Sequence, residues 1–326
     1  MKAAWYERNG TAREVLQVGT LDTPDPDDGE VRVKLRFSGI NPSDVKSRRG
    51  GSRAMAGPQV IPHSDGAGVI DAIGSGVDAR RIGQRVWIWN AQFGRAFGTA
   101  AEYVVLPAAQ AVPLGSNVPF EVGAVLGIPA MTAWRSLTIE GGCVGQTVLV
   151  AGGAGAVGFY AVQMARLLGA RRVFATTGSP EKARVAERAG ADAVFDYRDP
   201  GLVDAVLNAT DQRGVDRIVE LDMAANAAVD VQLITPGGNL IVYGSSKPSF
   251  ELPFYPLIQK DIGVRGFLAY TYAEGVRRDG EAQLADWTGS GLLMHRPAII
   301  FPLEQIVQAH ELVEAGSAEG SVLLAL

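Results

Sequence analysis

Three glycines set the first chemical expectation. Gly153, Gly155 and Gly158 form G-x-G-x-x-G directly after the β-branched run 147–150, and Val157, Ala161, Met164, Ala165 and Leu168 follow at helical spacing. A strand, a turn without Cβ atoms and a helix start make a cradle for a pyrophosphate. The backbone can approach the anion, and the helix end offers unpaired N–H groups and a positive dipole. The alternative is a tight strand–helix turn with no ligand. The kind of dinucleotide is read at the end of the second strand, where an NAD site places Asp or Glu about 20 residues on, against the ribose 2′-OH. Here 173–177 runs into Gly178-Ser-Pro-Glu-Lys182, and the expected position holds no acid. The hydroxyls of Thr177 and Ser179 with the charge of Lys182 suit a 2′-phosphate, so NADPH (NADP) is the expected cofactor. If Lys182 only solvates a helix start, the choice is relaxed.

A metal is not expected. A catalytic zinc needs about three protein ligands of Cys, His or carboxylate type. The one cysteine, Cys143, precedes the glycine-motif strand, and His295 and His310 show no ligand spacing. His63 beside Asp65 is the one residual cluster, and His63 reads as a loop residue.

These residues need elements to position them. A chain of 326 residues exceeds twice the common domain size of roughly 100–150, so two domains are expected. The first part reads as short alternating strands at 31–37, 69–70, 85–89 and 102–106, parted by turn clusters, as in a small antiparallel or barrel-like unit. A helical segment follows through Ala124, Ala130, Thr132 and Leu137. Beyond it, apolar strands recur near Leu149, Phe174, Phe195, Val219, Ile241 and Val264 with helical segments between, the pattern of a doubly wound parallel sheet. The closing helix 303–315 precedes a strand at 322–326 that has no place in a finished six-stranded sheet. It is assigned back to the first unit, which makes the nucleotide domain an insertion.

Composition narrows the classes. Glycine, at 40 residues, is abundant without a G-X-Y period, so collagen is excluded and turns and close approaches are implied. The formal charge of −5 argues against a nucleic-acid footprint. The uncharged run 141–165 has the length of a membrane span but opens on Gly141-Gly142 and carries the glycine turn, so no span is expected. Glu7 and Arg8 stand where a signal peptide needs apolar residues, and a single cysteine fits a reducing compartment, so the expected location is cytoplasmic.

An ordered set of motifs then carries a family resemblance. Gly39-Ile-Asn-Pro-Ser-Asp44, Ile61-Pro-His-Ser-Asp-Gly-Ala-Gly-Val69, Gly98-Thr-Ala-Ala-Glu-Tyr103, Gly127-Ile-Pro-Ala-Met-Thr-Ala-Trp134, the glycine motif, Gly190-Ala-Asp-Ala-Val-Phe-Asp-Tyr197 and Ala309-His-Glu-Leu312 cover nearly the whole chain. Together they resemble the medium-chain dehydrogenase/reductase superfamily, in its zinc-free quinone oxidoreductase branch, the zeta-crystallin-like enzymes. The resemblance implies an α/β fold: a GroES-like, mostly antiparallel β domain (1–122 plus 266–326) for catalysis and substrate, with a doubly wound parallel (Rossmann) domain (123–265) inserted in it. It implies NADPH-dependent hydride transfer to a quinone or other electron-poor enone or carbonyl.

Residue by residue, the resemblance places Asn41 and Thr132 at the nicotinamide end. It puts Gly155, Ala156 and Val157 on the pyrophosphate, and Lys182 and Tyr197 at the 2′-phosphate edge. Tyr243-Gly244 and Phe267-Leu268 would line the cofactor, and Ser321 stands where the family often has a basic residue. Zinc enzymes of the superfamily have Cys at the place of Asn41 and His at that of Ser64. The catalytic candidates are Asn41, Asp44 and Lys46. A tyrosine is common where Lys46 stands and a glycine where His63 stands, so the pocket polarity departs from the pattern. Lys46 and Arg48 read either as pocket groups or as solvated loop charges. Trp87, Trp89, Phe93 and Phe97 read either as the floor of an aromatic site or as core. The same scaffold also serves enoyl-thioester and 2-alkenal reductases, and non-catalytic NADPH-binding proteins that act as crystallins or bind RNA. A homodimer is expected through the sixth strand, 262–267, an open sheet edge beside the apolar 267–272. The alternative is a monomer with that edge covered.

Overall fold

The structure, a computed structural model, describes residues 1–51 and 54–326. Contacts divide them into two units, Met1–Pro129 with Glu281–Leu326, and Ala130–Gly280.

In the second unit the apolar runs form a six-stranded parallel sheet. Its strands in chain order are Thr147–Val150, Arg172–Thr177, Ala193–Asp196, Val215–Glu220, Ile234–Val242 and Gly263–Gly266. They lie in the order 3-2-1-4-5-6, so the direction of winding reverses between the first and fourth strands, where such sheets bind ligands at their carboxyl ends. Central strands are apolar on both faces because helices cover both: Leu149, Phe174, Ile218 and Leu240 pack with Val206, Met223 and Val231 in one core. The helix Pro180–Arg188 starts where Ser179 accepts from Lys182 N, with proline in its first turn. Arg217 sits wholly buried within the fourth strand. Its guanidinium donates to Gln146 Oε1 and to the carbonyls of Ser136, Ile139, Glu140 and Gly142, which closes the end of the helix Met131–Thr138.

The first unit holds a seven-stranded, mostly antiparallel sheet around Val31, Val33, Leu35, Ile70, Val86 and Ile88. Glu30–Gly39 is its hub, paired with Asp65–Ile73, Tyr103–Pro107 and Ser321–Ala325. The last of these returns antiparallel onto the hub, Leu324 opposite Ser38, and lies parallel to Ala298–Pro302. The closing strand thus belongs to the first unit, and the parallel sheet is an insertion in the chain.

The joints fall after Pro129 and Gly280, where the sequence placed them after 122 and 265. Gly123 lies against Ala67 and Leu114, and Ile128 N donates to Asp65, which holds 123–129 to the first unit. Gly280 lies against Met131 and Trp134, which holds the chain up to it to the second. The expected helix through Ala124–Leu137 opens as a wide turn at Leu126–Ala130 around Pro129 before becoming regular at Met131. Among the described residues no helix is long and apolar enough to cross a membrane.

Candidate cofactor and active site

The glycine turn fits a dinucleotide. Gly155 caps the helix Ala156–Leu167, whose first N–H groups, on Ala156 and Val157, have no intrahelical acceptor. A Cβ on Gly158 would collide with the Gly152 carbonyl, and one on Gly153 would lie 2.5 Å from Ala175 Cβ. Helix and strand therefore pack at a distance only glycine permits, and the turn stays open toward the helix end.

One strand further, Thr177, Ser179, Lys182 and Tyr197 come together at the carboxyl ends of the second and third strands. Thr177 is buried, with its carbonyl accepting from Tyr197 N at 3.1 Å. The Tyr197 ring covers Gly178, where a Cβ would stand 2.6 Å from the hydroxyl. Ser179 Oγ accepts from Lys182 N at 3.3 Å and its hydroxyl donates to the Glu181 carboxylate, and the Lys182 side chain is exposed. At the fifth and sixth strand ends, Tyr243 N donates to Glu220 O, Gly244 O accepts from Met223 N, and Phe267 N donates to Val242 O. Leu268 is half exposed. Thr132 is buried in the first turn of its helix and its side chain is hydrogen-bonded to the Tyr272 hydroxyl, which burial pushes above its ordinary range. No sequence signal had tied Tyr272 to Thr132, because 140 residues of chain separate them.

The remaining expected residues lie in the first unit. Asn41 is the N-cap of the helix Pro42–Arg48; its N–H donates to Asp44 Oδ2 at 2.8 Å and its Nδ2 to Asp65 Oδ2 at 2.9 Å. Asp65 Oδ2 also accepts from Ile128 N at 2.9 Å. Burial raises the Asp65 carboxyl well above the usual carboxylate range, against the pull of the Ile128 hydrogen bond. Asn41 and Asp44 are buried, whereas Lys46 lies on the exposed side of the helix. Arg48 is neither a pocket group nor a solvated charge. It is fully buried, donates to Gly10 O at 2.7 Å and pairs with Glu314. Ser321 borders a cavity of about 280 Å³ with Glu121, His295 and Arg296. Of the aromatic cluster, Trp87 is core, Trp89 and Phe93 are half-buried and Phe97 is exposed.

His63 lies in the loop before the strand Asp65–Ile73, but inside the unit rather than on its surface. It is fully buried at φ +78°, with Nδ1 2.8 Å from Ser38 Oγ and Nε2 2.8 Å from His310 Nε2. The proton directions along this chain follow from one carbonyl. Thr99 donates to Asp65 O at 2.6 Å, so at its 2.7 Å contact with Ser38 it accepts. Ser38 therefore has no proton left for His63, and His63 donates from Nδ1. His63 Nε2 is then the acceptor and His310 the donor, which leaves both rings neutral. Burial lowers the His63 ring to about 3, and burial with His63 and Arg48 nearby lowers His310 well below the usual range.

Zinc finds no ligand set here. Both His63 nitrogens and the engaged Asp65 oxygen serve the hydrogen bonds above, Ser64 and Asn41 offer no thiolate or imidazole, and no three His, Cys, Asp or Glu side chains gather among the described residues.

Comparison with known proteins agrees with this geometry along the whole chain. A family model described as zinc-binding dehydrogenase matches residues 156–287, and one described as alcohol dehydrogenase GroES-like domain matches 27–116. The quinone oxidoreductase of Lama guanicoe is 31% identical over 319 residues, 96% of this chain and 94% of that protein. The chain belongs to the medium-chain dehydrogenase/reductase family, in its quinone oxidoreductase branch. It is an enzyme of that type, with the Rossmann sheet and GroES-like domain that the motifs implied. Two solved structures cover it completely and are themselves completely covered. One is an NAD-dependent alcohol dehydrogenase, with TM-score 0.91 and 30% identity. The other is Escherichia coli quinone oxidoreductase in complex with NADPH, with TM-score 0.89 and 25% identity.

Proposed function

We propose that this enzyme uses NADPH, without zinc, to reduce a quinone or another electron-poor enone or carbonyl. The observation that carries the cofactor choice is the grouping of Ser179, Lys182 and Tyr197 beside a second strand that ends in threonine rather than an acid. An acid there would bond a 2′-OH and repel a 2′-phosphate, whereas an ammonium attracts the phosphate. The E. coli relative was solved with NADPH, which supports the same choice.

Bound NADPH supplies the hydride. In this reading Gly153, Gly155 and the N–H groups of Ala156 and Val157 hold the pyrophosphate, and Thr177, Ser179, Lys182 and Tyr197 hold the adenosine end. By the family resemblance, Asn41 and Thr132 belong to the nicotinamide end, Tyr243, Gly244, Phe267 and Leu268 line the cofactor, and Ser321 stands where the family often has a basic residue. Asn41, held by Asp44 and Asp65, offers its amide to the reacting end, and Lys46 supplies a cation near it. With no metal to polarise the acceptor, an already electron-poor substrate fits, because its oxyanion needs only hydrogen bonds and a proton from a donor or solvent. The protein works as a homodimer in a reducing, cytoplasmic setting, which the buried Cys143 suits.

The test is NADPH oxidation after exhaustive EDTA treatment, with a soluble quinone and with an enoyl thioester at matched concentrations. The proposal expects turnover that survives EDTA and favours the quinone. Preference for the thioester moves the enzyme to that substrate class, and activity lost together with stoichiometric zinc refutes the metal-free reading.

A further inference from the structure

Two carboxyl groups meet beneath the nucleotide edge of the parallel sheet. Glu220 ends the fourth strand with no exposed surface, and Asp230, on the following helix Met223–Leu233, is 3% exposed. Glu220 Oε1 is fully engaged, accepting from Asp222 N and, at 3.0 Å, from Asn226 Nδ2. Glu220 Oε2 and Asp230 Oδ2 are buried and find no donor. The two side chains are nevertheless in hydrogen-bonding contact with each other. Two carboxylates cannot satisfy one another, since both are acceptors, but one proton between them satisfies both.

The pair underlies the loops that follow two adjacent strands. Glu220 holds Asp222 N, Asp222 Oδ1 accepts from Ser246 N at 2.7 Å, and Met223 N donates to Gly244 O at 3.2 Å. Leu221, within this loop, lies against Gly152 of the glycine turn and against Gly244. A shift of the Glu220 side chain is therefore passed to residues that the dinucleotide reading assigns to the cofactor.

We infer that Glu220 and Asp230 share one proton and act as positioning residues for the dinucleotide site, so that cofactor affinity falls when alkali removes the proton. This rests on the dinucleotide reading above. Burial raises both carboxyls, Asp230 well above the usual range with Glu220 adding to the effect. The other charged or titratable groups bearing on the pair are Asp222, which also raises Glu220, and the half-buried Tyr243, whose hydroxyl is raised by desolvation and by Glu220. Loss of the proton leaves two anions in a dry site, and their repulsion acts on the loop that Glu220 holds.

The test titrates NADPH into wild type, Asp230→Asn and Glu220→Gln from about pH 6 to about pH 10, following protein fluorescence. Each amide replaces the removable proton with a permanent donor. Wild-type affinity is expected to fall about tenfold more over this range than that of either variant, equivalent to a proton held one pKa unit more tightly in the complex. Superimposable curves for all three overturn the inference. A cofactor-free arm uses infrared difference spectra, which cancel the buried Asp65 common to all three proteins: wild type minus either variant at neutral pH should show the carbonyl band of a protonated buried carboxyl, lost in alkali. No such band overturns the shared proton even if the variants fail to fold. Failure to bind NADPH at neutral pH, with the band present, instead indicts the cofactor reading.

Discussion

His63 stands in a backbone region that favours glycine, and its ring is what the site gains from the exchange. The neutral pair His63–His310 links the helix Ile306–Glu314 to the strand whose Asp65 holds Asn41. Both rings titrate lower in the folded protein than in the unfolded chain. A lowered value means that the unfolded state takes up protons first. The pair's contribution to stability is therefore complete above the unfolded value of about 6.5 and is lost as pH falls from there toward about 3 for His63. Each ring protonated only on unfolding costs about 1.4 kcal/mol per pH unit, so urea unfolding at about pH 5.5 should show roughly 2–3 kcal/mol less stability than at about pH 7.5. A His63→Gly, His310→Gln double variant should lose most of that difference. Equal pH dependence in variant and wild type would show that the two rings do not stay neutral. None of this was legible in the sequence. His63 and His310 lie 247 residues apart, and the sequence offers Arg48 as a charge without revealing that Glu314 and Gly10 O enclose it.

Elements were far more legible than side-chain partners. The six parallel strands were readable because burial on both faces demands uninterrupted apolar runs, and the terminal strand because it had no vacancy in that sheet. Ala298–Pro302 carries no such signal: it lies at a sheet edge with alternating exposure and ends in proline, so it lacks an uninterrupted apolar run. The glycine turn was legible because its chemistry is the absence of side chains. Glu220 and Asp230 were not, because a helix must fold before they meet. The element with the plainest solution consequence is the sixth strand, Gly263–Gly266. It pairs on one side only among the described residues, and Val264, Leu268, Phe254, Tyr255 and Ile258 are all exposed in its unit. An open parallel edge with an apolar surround is an association site unless something covers it. A two-fold pairing of this edge predicts sedimentation at twice the 34.4 kDa of one chain at micromolar protein. Val264→Lys should shift the population toward single chains. A monomer mass for wild type, unchanged by NADPH, would leave the edge unpaired in solution.

For the whole molecule, each unit carries its own set of candidate residues. The parallel sheet carries the glycine turn, the hydroxyl and lysine group and the shared-proton pair. The antiparallel sheet carries Asn41 on a helix cap braced by two buried aspartates. Their union in one chain is what the match to quinone oxidoreductases along 96% of its length expresses. The likeness to an NAD-dependent alcohol dehydrogenase of the same fold makes cofactor choice a matter of local residues rather than architecture. The decisive measurement is therefore kcat/KM for NADPH against NADH, with a quinone acceptor and EDTA present. A charge-assisted contact to the 2′-phosphate predicts a preference for NADPH of at least about tenfold, much of it erased by Lys182→Ala. Equal or better use of NADH by the unmodified enzyme would contradict the account.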